Sequence, residues 1–319
     1  MAGLLMAGLG LCASRSVWAA ASLKAIQRSI GDLHPVAEIH LGKTADWVVV
    51  TADAVWIGGT GPDAVHRIDP LTNRQVATVA LPGEPCAGLA VGFGALWVPL
   101  CGGHSALARV DLKTNAVTLL AIAPAGREGG IAASRDSVWM ATDKLGTLAR
   151  IDPVTGQIRQ TVKLPPGSYN PRSVGGTVWV TSIDTDVITA VDAATGEVMG
   201  SVKTGPKPRF LTDGGGAVWT LNQGDGTLTR VDERQRKVVA TMALGTPGHG
   251  GDIAYAAGQV WTTMSKAPLS ATDARTNQLR RQWIGAGGDS LGIGFGSIWL
   301  TDYDQGDVVR IRLKDALKQ

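Results

Sequence analysis

An all-β ring of seven four-stranded blades is the fold class the sequence predicts, on three observations. Trp56, Trp97, Trp139, Trp179, Trp219, Trp261 and Trp299 recur at intervals of 41, 42, 40, 40, 42 and 38 residues, each after Val, Leu or Ile. A period near 40 residues marks a repeat architecture. Between successive tryptophans the pattern is constant: an apolar strand, a Gly/Asp-rich turn, the Trp strand, a polar loop, a strand such as "TLARID", a tight turn and a strand such as "IRQTVKL". Four short strands per repeat make one blade of a β-propeller. The third observation is the 42 glycines among 319 residues, without a collagen period, which indicate a turn-rich chain.

The turns follow from their residues. "RIDPLTN", "RVDLKTN", "RIDPVTG", "AVDAATG" and "ATDARTN" each place an Asp ahead of Thr and then Gly or Asn. The carboxylate can accept the amides ahead of it, and Gly or Asn tolerates the positive φ that closes a short hairpin. Asp69, Asp111, Asp152, Asp192 and Asp273 are therefore read as turn residues rather than a row of metal ligands. The indoles, repeated in every blade on the strand second from the axis, are read as packing between blades, each burial stabilising by on the order of 2 to 3 kcal/mol.

The ends complete the count. After Trp299 the chain supplies one further strand, "DVVRIRL", so the seventh blade lacks its outermost strand. "HPVAEIHLG" at 34–42 matches "KVVATMALG" at 237–245 and is expected to fill that place, joining first and last blades. The organisation expected is a signal peptide at 1–21, a lead-in at 22–33, the propeller at 34–313 and a tail at 314–319. The opening segment is too short and interrupted to span a bilayer and ends in Ala19-Ala20-Ala21, an A-x-A-like cleavage site. It predicts a periplasmic or secreted protein, expected as a monomer. The formal charge of +3, with basic residues dispersed, carries no nucleic-acid footprint and no membrane role.

The repeats "GTLARIDPVTGQIRQTVKLP" and "GAVWTLNQGDGTLTRVD" resemble the propellers of the streptogramin B (virginiamycin B) lyase family and the wider YVTN/NHL-like group, over about residues 34–313. The resemblance is specific for architecture and unspecific for activity. It implies elimination from a cyclic depsipeptide, with a histidine base and a divalent cation that stabilises the enolate. Carried over, it would give His249 of "TPGHGGD" as base and Asp289 with Asp302 as Mg²⁺ ligands. The pattern departs where "GAGGDSLG" offers Gly288 and Asp289 for the base and its neighbouring glutamate, and where "GEPCAG" has Cys86 for a histidine.

Connectivity puts the loops entering the innermost strands and the loops after the Trp strands on one face, around the channel mouth. Candidate ligand-binding residues there are Lys43, Asp46, Glu84, Arg127, Glu128, Tyr169, Arg172, Arg209 and Asp252. Two readings stand: a propeller that binds a small molecule or a periplasmic protein without intact catalytic machinery, which the departures favour, and a Mg-dependent lyase of altered substrate. Cys86 and Cys101, equidistant from a hairpin centre near Phe93 and Gly94, are expected opposite each other as a disulfide.

Overall fold

The computed structural model describes residues 23–248 and 250–318, so the segment 1–21 read as an export signal, and His249, lie outside the described residues. Seven sheets follow one another around a ring; in blades 1 to 6 the four blade strands run in sequence order from axis to rim, and blade 7 takes its outermost strand from the N-terminal segment. Blade 4 is representative: Ser168–Val174 innermost, then Thr177–Ser182, Val187–Asp192 and Val198–Lys203. The blade-forming strands pair antiparallel with their neighbours, as the short turns between them require.

The seven repeated tryptophans sit on the second strands and are at most 1% exposed. Each fills the space between its own sheet and the next. Trp139 of blade 3 packs with Val178, Val180 and Val191 of blade 4, and Trp179 with Leu211, Val218 and Val231 of blade 5. At the seam, Trp299 of blade 7 packs with Ala45, Val55, Ile57 and Ile68 of blade 1. In five blades an arginine stands directly across the ladder on the third strand: Arg67, Arg109, Arg150, Arg230 and Arg310 lie 5.5, 5.8, 5.4, 5.1 and 4.9 Å over the indole. Three of them reach into the next blade's outer turn. Arg150 donates to Ala194 O at 2.7 Å, Arg230 to Ala274 O at 2.8 Å, and Arg310 to Asn73 Oδ1 at 2.7 Å and to Pro70 O. The indole and its cation thus form one device that packs and hydrogen-bonds adjacent blades.

The aspartates act as expected: the carboxylates of Asp69, Asp111, Asp152, Asp192 and Asp273 each accept the amide two residues on. These bonds hold their pKa values below the ordinary carboxylate value, Asp152 at about 2. Blade 5 has a sixth such turn that lacks the Thr-Gly/Asn signature. Asp232 accepts from Arg234 N at 3.0 Å and Gln235 N at 2.7 Å, and Arg236 takes the left-handed position at φ 53°.

Ala37–His40 pairs antiparallel with Asp307–Arg312 as the outermost strand of blade 7, with His40 exposed and bonded through Nδ1 to Asp307 Oδ1 at 2.8 Å. The flanks are more structured than "lead-in" and "tail" suggest. Gln27–Ser29 adds a fifth strand to blade 6, parallel to Gln278–Ile284, and covers that sheet edge. A 3-10 turn at Ile30–Asp32 then leads to Leu33, buried beside the terminal helix Leu313–Lys318, whose Ala316 is also buried.

Cys86 and Cys101 are joined as a disulfide with Cα atoms 5.7 Å apart. Their pairing is diagonal rather than directly opposite. Ala90–Gly92 keep the register set by the Phe93–Gly94 turn, but the inner strand breaks after Pro85, where Glu84 faces Cys101 and Cys86 N bonds to Pro99 O. Two extra residues bulge out between these registers. Thiol titration of unreduced, denatured protein lacking residues 1–21 should find no free thiol. Because the crosslink spans 15 positions, its reduction should lower stability by about 3 kcal/mol; two titrating thiols would refute the crosslink.

Candidate functional site

The innermost strands of all seven blades line an axial cavity of about 490 Å³. Its mouth end is built around a residue outside the tryptophan period. Trp47, on the inner strand of blade 1, lies at a bulge between Asp46 and Val48 with φ at 56°, a left-handed value unusual for a bulky side chain. Its ring meets Phe210 of blade 5 with centroids 6.2 Å apart. Blades 1 and 5 stand across the ring from each other, so this contact reaches across the axis and narrows the channel at the mouth.

Around this contact stand four carboxylates from four blades. Asp46 is 7% exposed and its Oδ1 accepts Trp47 N at 2.7 Å. Burial holds its pKa well above the ordinary carboxylate value, reinforced by the charges of Asp289 and Glu128. Asp252 accepts Ile253 N at 2.7 Å, Ser290 Oγ at 2.7 Å and Leu291 N at 3.2 Å, and burial still raises it to about 6. Glu128, at φ 63°, and Asp289, whose Oδ1 accepts Gly251 N at 3.0 Å, are also raised chiefly by burial. Few cations face these acids: Arg209 lowers Glu128 in part.

The remaining candidates divide. Glu84 and Arg127 form a two-pronged ion pair at the rim, one prong Arg127 Nη2 to Glu84 Oε2 at 2.6 Å. Lys43 is exposed there. Tyr169, expected as a rim contact, is instead buried: its hydroxyl donates to Arg127 O and its ring lies beneath the Arg209 guanidinium at 5.1 Å. Arg172 belongs to the channel wall below the Trp47–Phe210 contact, where Nε donates to Asp213 Oδ1 at 2.7 Å. Both displacements have one cause, since residues on an inner strand alternate between blade interface and channel. Two residues that sequence reasoning missed hold this region together. Asn170, 7% exposed, donates to Glu128 O at 3.2 Å and to Arg209 O at 2.9 Å. Gln223, 6% exposed, accepts from Arg209 Nε at 2.9 Å and donates to Gly250 O at 2.8 Å. Neither carries a motif, and nothing in the local sequence sets either apart from the polar residues around it.

The residues named for Mg²⁺ each have one oxygen engaged with the backbone. Asp289 and Asp302 are electrostatic neighbours, but each already accepts a backbone amide, Asp302 from Gln305 N at 3.3 Å. Among the described residues no three His, Cys, Asp or Glu side chains are arranged to hold a metal ion.

A closed seven-bladed propeller with its polar groups gathered at one narrowed channel mouth is the class of protein these features define. No family model matches the chain, and no curated protein matches it. Among solved structures, a streptogramin B lyase structure superposes with a TM-score of 0.72 at 16% identity, covering 86% of this chain and 96% of that one. BamB from Moraxella catarrhalis superposes with a TM-score of 0.63 at 13% identity, covering 88% and 99%. At these identities the likeness is one of fold.

Proposed function

We propose that this propeller is an exported recognition module which binds a small molecule or a protein at its mouth face, without catalysing elimination. The observation that carries this reading is the use already made of the mouth's polar groups. Asp252, Asp289 and Asp302 accept backbone amides, Glu84 pairs with Arg127, and Asn170 and Gln223 brace the loops. A base or metal ligand needs free lone pairs aimed at a reacting atom, whereas a recognition surface gains from rigid, prearranged groups. Export is supported by the apolar opening segment with its Ala19-Ala20-Ala21 site and by the Cys86–Cys101 crosslink. Among the described residues, no helix is long and apolar enough to cross a membrane.

Calorimetric titration with Mg²⁺ and Mn²⁺, beside Asp302→Ala, tests the reading. No saturable uptake is expected, and a thermal-shift screen of small organic molecules should give hits that weaken in rim variants such as Arg127→Ala. Saturable metal binding lost in Asp302→Ala, with turnover of a cyclic depsipeptide, would replace this reading by a lyase.

A further inference from the structure

Trp47 and Phe210 narrow the axis at the mouth, and a second, ligand-sized space on the mouth face lies to one side of it. A groove of about 400 Å³ runs between the loops of blades 4, 5 and 6, within the range of small-molecule sites. Its walls include Lys207 and Arg209 of the blade 5 entry loop, Gln223, Asp184, Ile183 and Pro247.

Arg209 is held from every side except its outer end. Its carbonyl accepts from Asn170 Nδ2 at 2.9 Å and Thr181 Oγ1 at 3.1 Å, its Nε donates to buried Gln223, and its guanidinium lies over the Tyr169 ring. Apart from its interaction with the Tyr169 side chain, the end of the guanidinium makes no hydrogen bond or ion pair with the groove wall among the described residues. Lys207 stands beside it in the left-handed conformation at φ 54°, fixed by a bond from its amide to Asp186 Oδ1 at 2.9 Å. Neither cation is in an ion pair among the described residues, and Asp184, the one carboxylate on the groove wall, pairs with neither. A prearranged guanidinium with a free end, a neighbouring ammonium and an apolar flank form a receptor for an oxyanion.

We propose that this groove binds a small organic anion, its carboxylate or phosphate end on Arg209 and Lys207 and its apolar body against Ile183 and Pro247. The proposal rests on the mouth face being a recognition surface and names the chemistry recognised there.

Calorimetry at constant ionic strength with benzoate, phenyl phosphate and inorganic phosphate decides it. Benzoate or phenyl phosphate should bind saturably, the tighter of the two identifying the headgroup, and inorganic phosphate more weakly. Arg209→Gln should weaken binding by about tenfold or more and Arg209→Lys by less, Lys207→Gln several-fold, and Lys113→Gln, on an outer turn at the opposite face, not at all. Matching melting temperatures would show that the variants are folded. Undiminished binding in Arg209→Gln, or no saturation by either organic anion, would overturn the proposal; inorganic phosphate binding as tightly as phenyl phosphate would overturn the role of the apolar wall. Thermal-shift hits that depend on Arg127 but survive Arg209→Gln would sink this inference alone and leave the recognition reading standing.

Discussion

Replacing Trp139 with alanine is expected to lower the unfolding free energy by about 3 to 5 kcal/mol, the range for removing a large buried aromatic. The indole is fully buried between blades 3 and 4, against Val178, Val180 and Val191. Its Nε1 donates to Ser134 Oγ at 3.0 Å, and Arg150 lies 5.4 Å over the ring. The substitution therefore opens a cavity, leaves the serine without that donor and takes away the surface on which the bridging arginine rests. A sheet-to-sheet interface has little room to collapse, because each blade is fixed on its other side by the closed ring. Urea denaturation of the variant beside Leu71→Ala, whose side chain is 88% exposed on an outer turn, separates the two cases. The control should change by less than about 0.5 kcal/mol. A loss near that size for Trp139→Ala would show that the indole spacing is not what holds the blades together.

Acidification should destabilise the protein through one histidine. His66, on the third strand of blade 1, is 1% exposed. Its Nδ1 lies 3.2 Å from Gln75 Nε2, and Nε2 is buried without a partner among the described residues. Protonation would set two N–H groups where one faces an amide donor and the other faces no acceptor, and burial lowers its pKa from 6.5 to about 4. As pH falls through the unfolded value, the unfolded chain takes up a proton that the folded chain refuses. Stability from this group is present above that value and declines until pH reaches the folded value, a loss on the order of 3 kcal/mol. The four mouth carboxylates have the opposite sign. Their raised pKa values mean that the folded state holds protons more tightly, so their contribution is present at low pH and lost as pH rises. The difference in stability between the protein and His66→Gln, followed from about pH 7 to about pH 4, isolates the histidine. Parallel profiles would refute the assignment.

The architecture was legible because propeller packing repeats, and repetition lets weak signals add. Seven indoles and five Asp-Thr turns each report the same local solution to the same geometry. Features that occur once have no such support. Gln27–Ser29 is a three-residue polar strand in parallel pairing, so it has neither an apolar pattern nor a hairpin turn to announce it. Asp232 keeps the turn but replaces its small left-handed residue with Arg236. The arginines over the indoles lie in "RID" or "RVD" segments, except Arg310 in "RIR", at a spacing from the indole that varies little, yet nothing local shows that three of them bridge to the following blade.

The mouth was legible as a location more than as a set of roles. Topology alone gathers Lys43, Glu84, Arg127, Glu128 and Asp252 at one end of the ring. Which of them stay free depends on bonds between distant loops: Asn170 linking Glu128 to Arg209, Ser290 occupying Asp252, Gln223 fixing Arg209. Those separations, 14 residues for Gln223 and Arg209 and 38 to 42 for the others, have no signature in a single sequence. Tyr169 and Arg172 illustrate the consequence, being three residues apart yet serving as a buried platform and a channel-wall ion pair.

The Trp47–Phe210 contact ties two distant blades together across the middle of the ring. Blade 1 and blade 5 thereby support each other directly, without the blades that separate them along the circumference. Substitutions farther down the channel wall, along Val50, Ala133 and Ile293, leave that brace in place.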